Sequence, residues 1–315
     1  MLQKMDIDGE TSAPGQQTLR KSGFAAIVGR PNVGKSTLLN RLVGSKVAIM
    51  SDKPQTTRTR IRGILTEARG QIVFLDTPGI HQPKDRLGEM MMESTNESLR
   101  EVDVILLVID ASARLSEGDQ LALASVRGRK APVVLVQNKI DAVRKERLLG
   151  QIAELTALYE FADVVPVSAR TGEQVAVLRD ILFERMPSGP MYYPEGVTSD
   201  QPEAFVIAEL IREKVLVRTR EEVPHSVAVV VEQLRERDDG KGLYAQAVIY
   251  TERESQKRIL IGSGGEMLKA IGALARRDIE GLFGGSAYVE LWVKVRRDWR
   301  NKDNLLRAFG MQTNS

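Results

Sequence analysis

Gly29-Arg30-Pro31-Asn32-Val33-Gly34-Lys35-Ser36 constrains this chain more than any other stretch. It fits G-x-x-x-x-G-K-[ST], a glycine loop whose backbone cradles phosphate. The apolar run before it, Phe24 to Val28, reads as a buried strand. Thr37 to Val43, apolar at helical spacing, reads as a helix. Strand, glycine loop and helix are the context the motif requires. Gly29 and Gly34 let the backbone turn tightly and aim its N–H groups inward, and the helix N-terminus adds partial positive charge. Lys35 can reach the β- and γ-phosphates, and the Ser36 hydroxyl can ligate Mg²⁺. Arg30, Pro31, Asn32, Val33 and Thr37 complete the cradle.

The chain has 315 residues, enough for two domains with sizeable cores. Lys and Arg total 45 against 42 Asp and Glu, a mildly basic balance that permits a nucleic-acid partner without demanding one. The absence of cysteine excludes disulfides, thiol catalysis and cysteine zinc sites. The two histidines, His81 and His225, are too few for a His-rich metal site. The longest apolar run, Val104 to Ile109, is strand-sized and far short of the roughly 20 residues of a membrane span. The start of the chain lacks the apolar core of a secretory signal and reads as a flexible tail, so a cytoplasmic location is expected.

From Gly23 to Met186 short apolar strands alternate with amphipathic helices. The strands are expected at 24–28, 63–66, 71–76, 104–110, 132–138 and 164–167. Runs apolar on both faces predict a doubly wound, mostly parallel α/β sheet covered by helices. A Pro- and Gly-rich stretch then reads as a semi-rigid linker. Beyond it the order is helix (204–219), strand (226–236), strand (243–251), helix (267–283) and strand (287–296), an α+β unit. The expected boundaries are a tail at 1–21, a first domain at 22–187, a linker at 188–203, a second domain at 204–302 and a tail at 303–315.

Three further segments select the nucleotide. Asp76-Thr77-Pro78-Gly79 follows a strand, so Asp76 can hold Mg²⁺ through water and the Gly79 amide can sense a γ-phosphate. Asn138-Lys139-Ile140-Asp141 follows another. Asp141 can accept hydrogen bonds from guanine N1–H and N2–H₂; adenine lacks both donors and would leave the carboxylate unpaired. Asn138 can tie this loop to the glycine loop, and Lys139 can lay its stem over the base. Ser168-Ala169 follows a third strand, where a backbone N–H can meet guanine O6. Between them, Gln55-Thr56-Thr57-Arg58-Thr59-Arg60 is a polar loop. A threonine there can complete the Mg²⁺ shell, with Thr57 favoured and Thr56 the competitor, so that the segment orders with GTP and relaxes after hydrolysis. Residues 80–101 would be the second switch. The attack of water on the γ-phosphate would be assisted by Lys35, Thr57 and Gly79.

These five motifs resemble those of translation-factor-class GTPases, and the glycine loop resembles that of the Era, EngA and TrmE group. The resemblance implies that Ile80, where Ras-like proteins carry a water-orienting glutamine, cannot position the water, so intrinsic hydrolysis should be slow. It also implies that Asn32 can help hold a potassium ion beside the phosphates.

In the second domain, Ile259-Leu260-Ile261-Gly262-Ser263-Gly264-Gly265 reads as a strand running into a Gly-x-x-Gly turn, with a helix following. This is the KH arrangement, in which a groove holds about four unpaired nucleotides. Lys257, Arg258, Ile261, Gly262, Ser263, Gly264, Gly265 and Lys269 are the expected RNA contacts. The order of GTPase, short linker and KH type II domain resembles the Era family of bacterial GTPases over nearly the full length. That implies binding to the 3′ end of 16S rRNA, help in assembling the small ribosomal subunit, a monomeric chain and a weak peripheral contact with the plasma membrane. One departure is the turn itself: it often carries a lysine or arginine, and here reads Ser263-Gly264 with Glu266 next, which loses a phosphate contact. Two functional classes follow: a GTP-hydrolysing timer of RNA binding, and an RNA-binding module with GTP as a near-static ligand.

Overall fold

The computed structural model describes residues 20–53, 55–237, 240 and 242–311. Most of the expected N-terminal tail and the last four residues lie outside them. Lys21, expected in the tail, instead opens the first strand.

The first domain runs β1 (Lys21–Val28), α1 (Lys35–Val43), β2 (Ile61–Glu67), β3 (Gly70–Asp76), α2 (Arg86–Ser98), β4 (Val104–Asp110), α3 (Glu117–Val126), β5 (Val133–Asn138), α4 (Lys145–Leu158), β6 (Asp163–Pro166) and α5 (Val175–Arg185). The sheet order is β2-β3-β1-β4-β5-β6, with β2 antiparallel to β3 and every other pair parallel. Every residue of β3, β4 and β5 is buried, because helices cover both faces. Leu38, Leu42, Leu178 and Leu182 from α1 and α5 pack one face. Leu123, Val126 and Leu155 from α3 and α4 pack the other. Strand order reverses beside β1, so the loops at the carboxyl ends of β1, β3, β5 and β6 converge there on a crevice.

The expected linker is a strap. Pro187 O accepts from the Ser22 N–H at 2.9 Å, and Gln71 Oε1 accepts from the Tyr192 and Tyr193 N–H groups at 2.8 and 2.9 Å. Thr198 O accepts from the Ile64 N–H at 2.9 Å. The segment thus satisfies the Ile64 N–H on the edge strand β2 and buried polar groups of β1 and β3.

The second domain runs α6 (Glu203–Arg218), β7 (Ala228–Glu236), β8 (Gly242–Thr251), α7 (Glu254–Ile261), α8 (Glu266–Phe283), β9 (Ser286–Val295) and α9 (Asp303–Ala308). β7 and β8 are antiparallel, β8 and β9 parallel. Two expectations are corrected. Ile259 to Ile261 end a helix rather than form a strand. The Gln256 side chain accepts from the Glu252 and Arg253 N–H groups at 3.0 Å and caps that helix, and only Leu260 of the three is fully buried. Residues 303–311, expected as a tail, include α9 and bury Leu306 and Met311. They join a shared core in which Leu87, Met90 and Met91 of α2 meet Ala228, Val248, Tyr250 and Trp299. This apolar contact docks the second domain on the helix that follows Gly79.

Candidate functional site

The glycine loop closes around Lys35. Its ammonium donates to Gly29 O at 3.0 Å and Arg30 O at 2.9 Å. Burial lowers its pKa to about 8, against the supporting charge of Asp76 and with a small further push from Arg30. Gly34 sits at φ 97°, and a Cβ there would lie 2.3 Å from Asn138 Nδ2, so the loop needs glycine for conformation and for space. The cavity above it is about 290 Å³ and is lined by Asn32, Gly34, Lys35, Ser36, Thr57 and Lys139 among others.

Ser36 Oγ donates to Asp76 Oδ2 at 2.7 Å and lies 2.9 Å from Thr57 Oγ1, which itself donates to Asp76 Oδ2 at 3.3 Å. Three hard oxygen donors from α1, the first switch and β3 therefore meet. Asp76 is fully buried, which raises its pKa against Lys35, Ser36 and Thr57, and its Oδ1 has no partner. A bare buried carboxylate oxygen beside two hydroxyls fits Mg²⁺ bound in part through water. Thr56 instead donates to Lys53 O at 2.7 Å. The structure brings Thr57, not Thr56, to the magnesium donors.

Asn138 ties two loops together: Nδ2 donates to Val33 O at 2.8 Å, and Oδ1 accepts from the Ala169 N–H at 2.9 Å. Lys139 donates to Asn32 O at 2.8 Å and Asp110 Oδ2 at 2.7 Å. Asp141 accepts from Ser168 Oγ at 2.6 Å and Arg170 Nη2 at 2.5 Å, and these bonds hold its carboxyl below the usual range against mild desolvation. It is an ionised acceptor, as guanine N1–H and N2–H₂ require. Arg170 is an exposed side chain lying on that carboxylate, so it must yield Oδ2 to a base. At Ser168-Ala169 both N–H groups have partners within the chain, with which guanine O6 would compete. The Ser168 N–H donates to Glu173 O at 3.0 Å and the Ala169 N–H to Asn138.

Ile80 is 6% exposed and packs in the core beside β1 and β4, with no polar group to offer a water. Gly79 lines the cavity, and the next N–H, of Ile80, donates to Gly29 O at 3.0 Å. Thr77 Oγ1 donates to Ile27 O and anchors the Asp76–Gly79 turn to β1, with Pro78 following. Asn32 turns its side chain to the first switch, donating to Asp52 O at 2.8 Å.

The sequence reading missed what holds that switch. Arg58 is 5% exposed and donates to Val227 O at 2.5 Å, His225 O at 3.2 Å and Pro224 O at 3.4 Å, all in the second domain. Its guanidinium lies 5.7 Å from the centroid of the Trp299 ring. Burial, then the neighbouring Arg212 cation, bring its pKa down to about 9. Arg212 of α6 donates to Thr56 O and pairs with Glu209 at 2.6 Å. Glu213 takes the Met50 N–H at 2.9 Å and the Lys46 ammonium at 2.8 Å. A signal was present in α6: Arg212 and Glu213 interrupt a run of apolar residues that is buried almost throughout.

In the second domain Gly262 sits at φ 73°, and a Cβ there would lie 2.8 Å from Met267 Cβ. Gly264 and Gly265 face open space. A groove of about 550 Å³ runs between α8 and the edge of β9, lined by Gly265, Lys269, Arg276, Tyr288 and Leu291 among others. Ser263 and Gly264 lie exposed beside its mouth, whereas Lys257, Arg258 and Ile261 belong to α7 and do not line it.

The family model described as 50S ribosome-binding GTPase matches residues 24–139, and the KH domain model matches residues 222–300. The chain is 53% identical over 290 residues to GTPase Era of Heliobacterium modesticaldum, covering 92% of this chain and 97% of that protein. It is 52% identical over the same span to GTPase Era of Carboxydothermus hydrogenoformans, with the same coverage. Two solved structures share 41% identity and cover 93% of this chain and all of their own. One is an Aquifex aeolicus Era variant bound to GDP.AlF4⁻, with a TM-score of 0.90. The other is Era with MgGDPNP and nucleotides 1506–1542 of 16S ribosomal RNA, with a TM-score of 0.91.

Proposed function

The chain belongs to the Era family of GTPases, and from that premise we propose that it binds the 3′ end of 16S ribosomal RNA in its KH groove and assists assembly of the small ribosomal subunit, with GTP setting when it does so. It works as a cytoplasmic monomer. The observation that carries the reading is the position of Thr57. Its hydroxyl belongs to the magnesium donors, while its neighbours Thr56 and Arg58 are held by Arg212, Pro224, His225 and Val227 of the KH domain. Loss of the γ-phosphate releases Thr57, and the segment that moves with it is the one that docks the KH domain.

Lys35 and the loop amides bind and orient the phosphates, and their fixed charge is ready before the transition state forms. Ser36, Thr57 and Asp76 would hold Mg²⁺, which spreads the charge of the β- and γ-phosphates. Asp141 orients the base. The buried Ile80 gives the attacking water no side-chain partner, so the chain hydrolyses GTP slowly until another group helps. A potassium ion held with the help of Asn32, whose Nδ2 donates to the Asp52 carbonyl at 2.8 Å, would supply that help. The RNA-bound Era structure at 41% identity supports the RNA partner.

Ile80 also favours the second reading, in which GTP is a near-static ligand. Single-turnover hydrolysis with and without 16S rRNA and potassium separates the two, since a static ligand is not stimulated by either. The RNA partner is tested by crosslinking the GTP-analogue-bound chain to total RNA. Crosslinks at the 3′ end of 16S rRNA are expected, and scattered messenger sites would overturn the proposal.

A further inference from the structure

The face of the KH sheet opposite α6 and α8 is only half covered. Ala228, Val248 and Tyr250 lie under α2 and α9, but among the described residues no element covers the other half. Across it, Arg235, Tyr244 and Tyr288 are register partners on β7, β8 and β9. The Arg235 guanidinium lies 4.5 Å from the Tyr244 ring centroid, and Tyr244 and Tyr288 stack at 5.8 Å with planes 9° apart. The column ends at the outer strand, where Tyr288 is 55% exposed. Four residues further along the same strand and face, ~13 Å away at strand rise, Trp292 is 51% exposed. Glu290, between them in the strand, fixes Trp292 and also Tyr244, the ring on which Tyr288 stacks. It accepts from Tyr244 Oη at 2.5 Å and from Trp292 Nε1 at 2.9 Å. On the same face the Lys294 ammonium pairs with Glu232 at 3.3 Å, and the Arg235 guanidinium lies over the Tyr244 ring.

Tyr288 and Glu290 also line the groove between α8 and β9. The open end of the aromatic column and the groove therefore share one edge. Rigid exposed aromatic planes on a sheet face are what unpaired bases stack on, and stacking tolerates any base. We infer that unpaired RNA leaving the KH groove crosses the β9 edge and stacks its next bases on Tyr288 and Trp292, an extension of the binding site beyond the groove. The inference rests on the groove being the RNA site. A protein partner could also use exposed aromatics, but continuity with the groove favours RNA.

The test uses the full chain with GDPNP and Mg²⁺ and fluorescent RNA from the 3′ end of 16S rRNA. One oligonucleotide has four nucleotides; two more carry three extra nucleotides on the 5′ or the 3′ side. One extension should tighten binding by roughly 5-fold or more per stacked base. Trp292→Ala should remove most of that gain and leave the four-nucleotide affinity unchanged, while Trp292→Phe restores it. Trp299 is fully buried, so quenching of the accessible indole fluorescence by the extended RNA reports Trp292 directly. Equal affinities of short and extended RNA, or a gain untouched by Trp292→Ala, would overturn this extension and leave the groove reading standing. Failure of all three to bind would overturn the groove reading and this inference with it.

Discussion

Removing Arg58 should loosen the KH domain from the first switch without harming the nucleotide site. Arg58→Ala deletes two close hydrogen bonds, to Val227 O at 2.5 Å and His225 O at 3.2 Å, and one long bond to Pro224 O. Bonds from a charged donor are worth ~1.5–3 kcal/mol each, and the carbonyls left behind are buried. The gross loss is therefore ~3–6 kcal/mol. Against it stands the cost of burying a cation beside Arg212, visible in a pKa drawn down to about 9, and in an Nε that has no partner. Alanine relieves that cost, so the net loss should be about 2 kcal/mol, or roughly 30-fold in the docked equilibrium. Amide hydrogen exchange reads it by region. In the GDPNP-bound chain, exchange across residues 224–229 and 299–311 should quicken by that factor. β4, at the centre of the first sheet, should not change. Unchanged exchange at 224–229 would refute the reasoning, because the arginine would then be a passenger in the interface. A uniform rise that includes β4 would refute it as well, since the loss would be global.

Asp141→Asn should weaken GTP by roughly 100-fold or more, because two charge-assisted bonds to guanine are lost; equal GTP affinity in competition with a fluorescent analogue would contradict the assignment. Thr57→Ala should raise the Mg²⁺ concentration needed for GDPNP binding about 10-fold, whereas Thr56→Ala, facing Lys53 O, should not change it. The sign for Lys35 follows from its lowered pKa. In the empty site it loses its proton as pH rises through about 8, well below the usual lysine range, and incoming phosphates restore it. GTP binding should therefore take up close to one proton at pH 9 and almost none at pH 6.5, as calorimetry in buffers of different ionisation enthalpy would show.

The alternation of apolar strands and helices was legible because strands buried on both faces, such as β4, have no polar face to confuse the period. The phosphate and guanine residues were legible because their chemistry demands fixed types at fixed spacing: Lys35, Ser36, Asp76, Asn138 and Asp141 all converge as their motifs imply. What failed depends on tertiary partners. Ile259 to Ile261 looked like a strand because three apolar residues carry no period, and the cap from Gln256 decides for helix. Residues 303–311 looked like a tail because nothing local shows that Leu306 and Met311 meet Trp299 and α2. Arg58 read as a polar loop residue, since its acceptors lie more than 160 positions away.

The central claim is that nucleotide state reaches the RNA through Thr57 and its KH-held neighbours. It is tested most directly by titrating the 3′-terminal 16S rRNA oligonucleotide into the wild-type chain with GDPNP and with GDP, and into Thr57→Ala with both. The account predicts tighter RNA binding with GDPNP in the wild type, and a gap that closes in Thr57→Ala once GDPNP is saturating. Equal affinity in the two wild-type states, or a gap that survives Thr57→Ala, would contradict it.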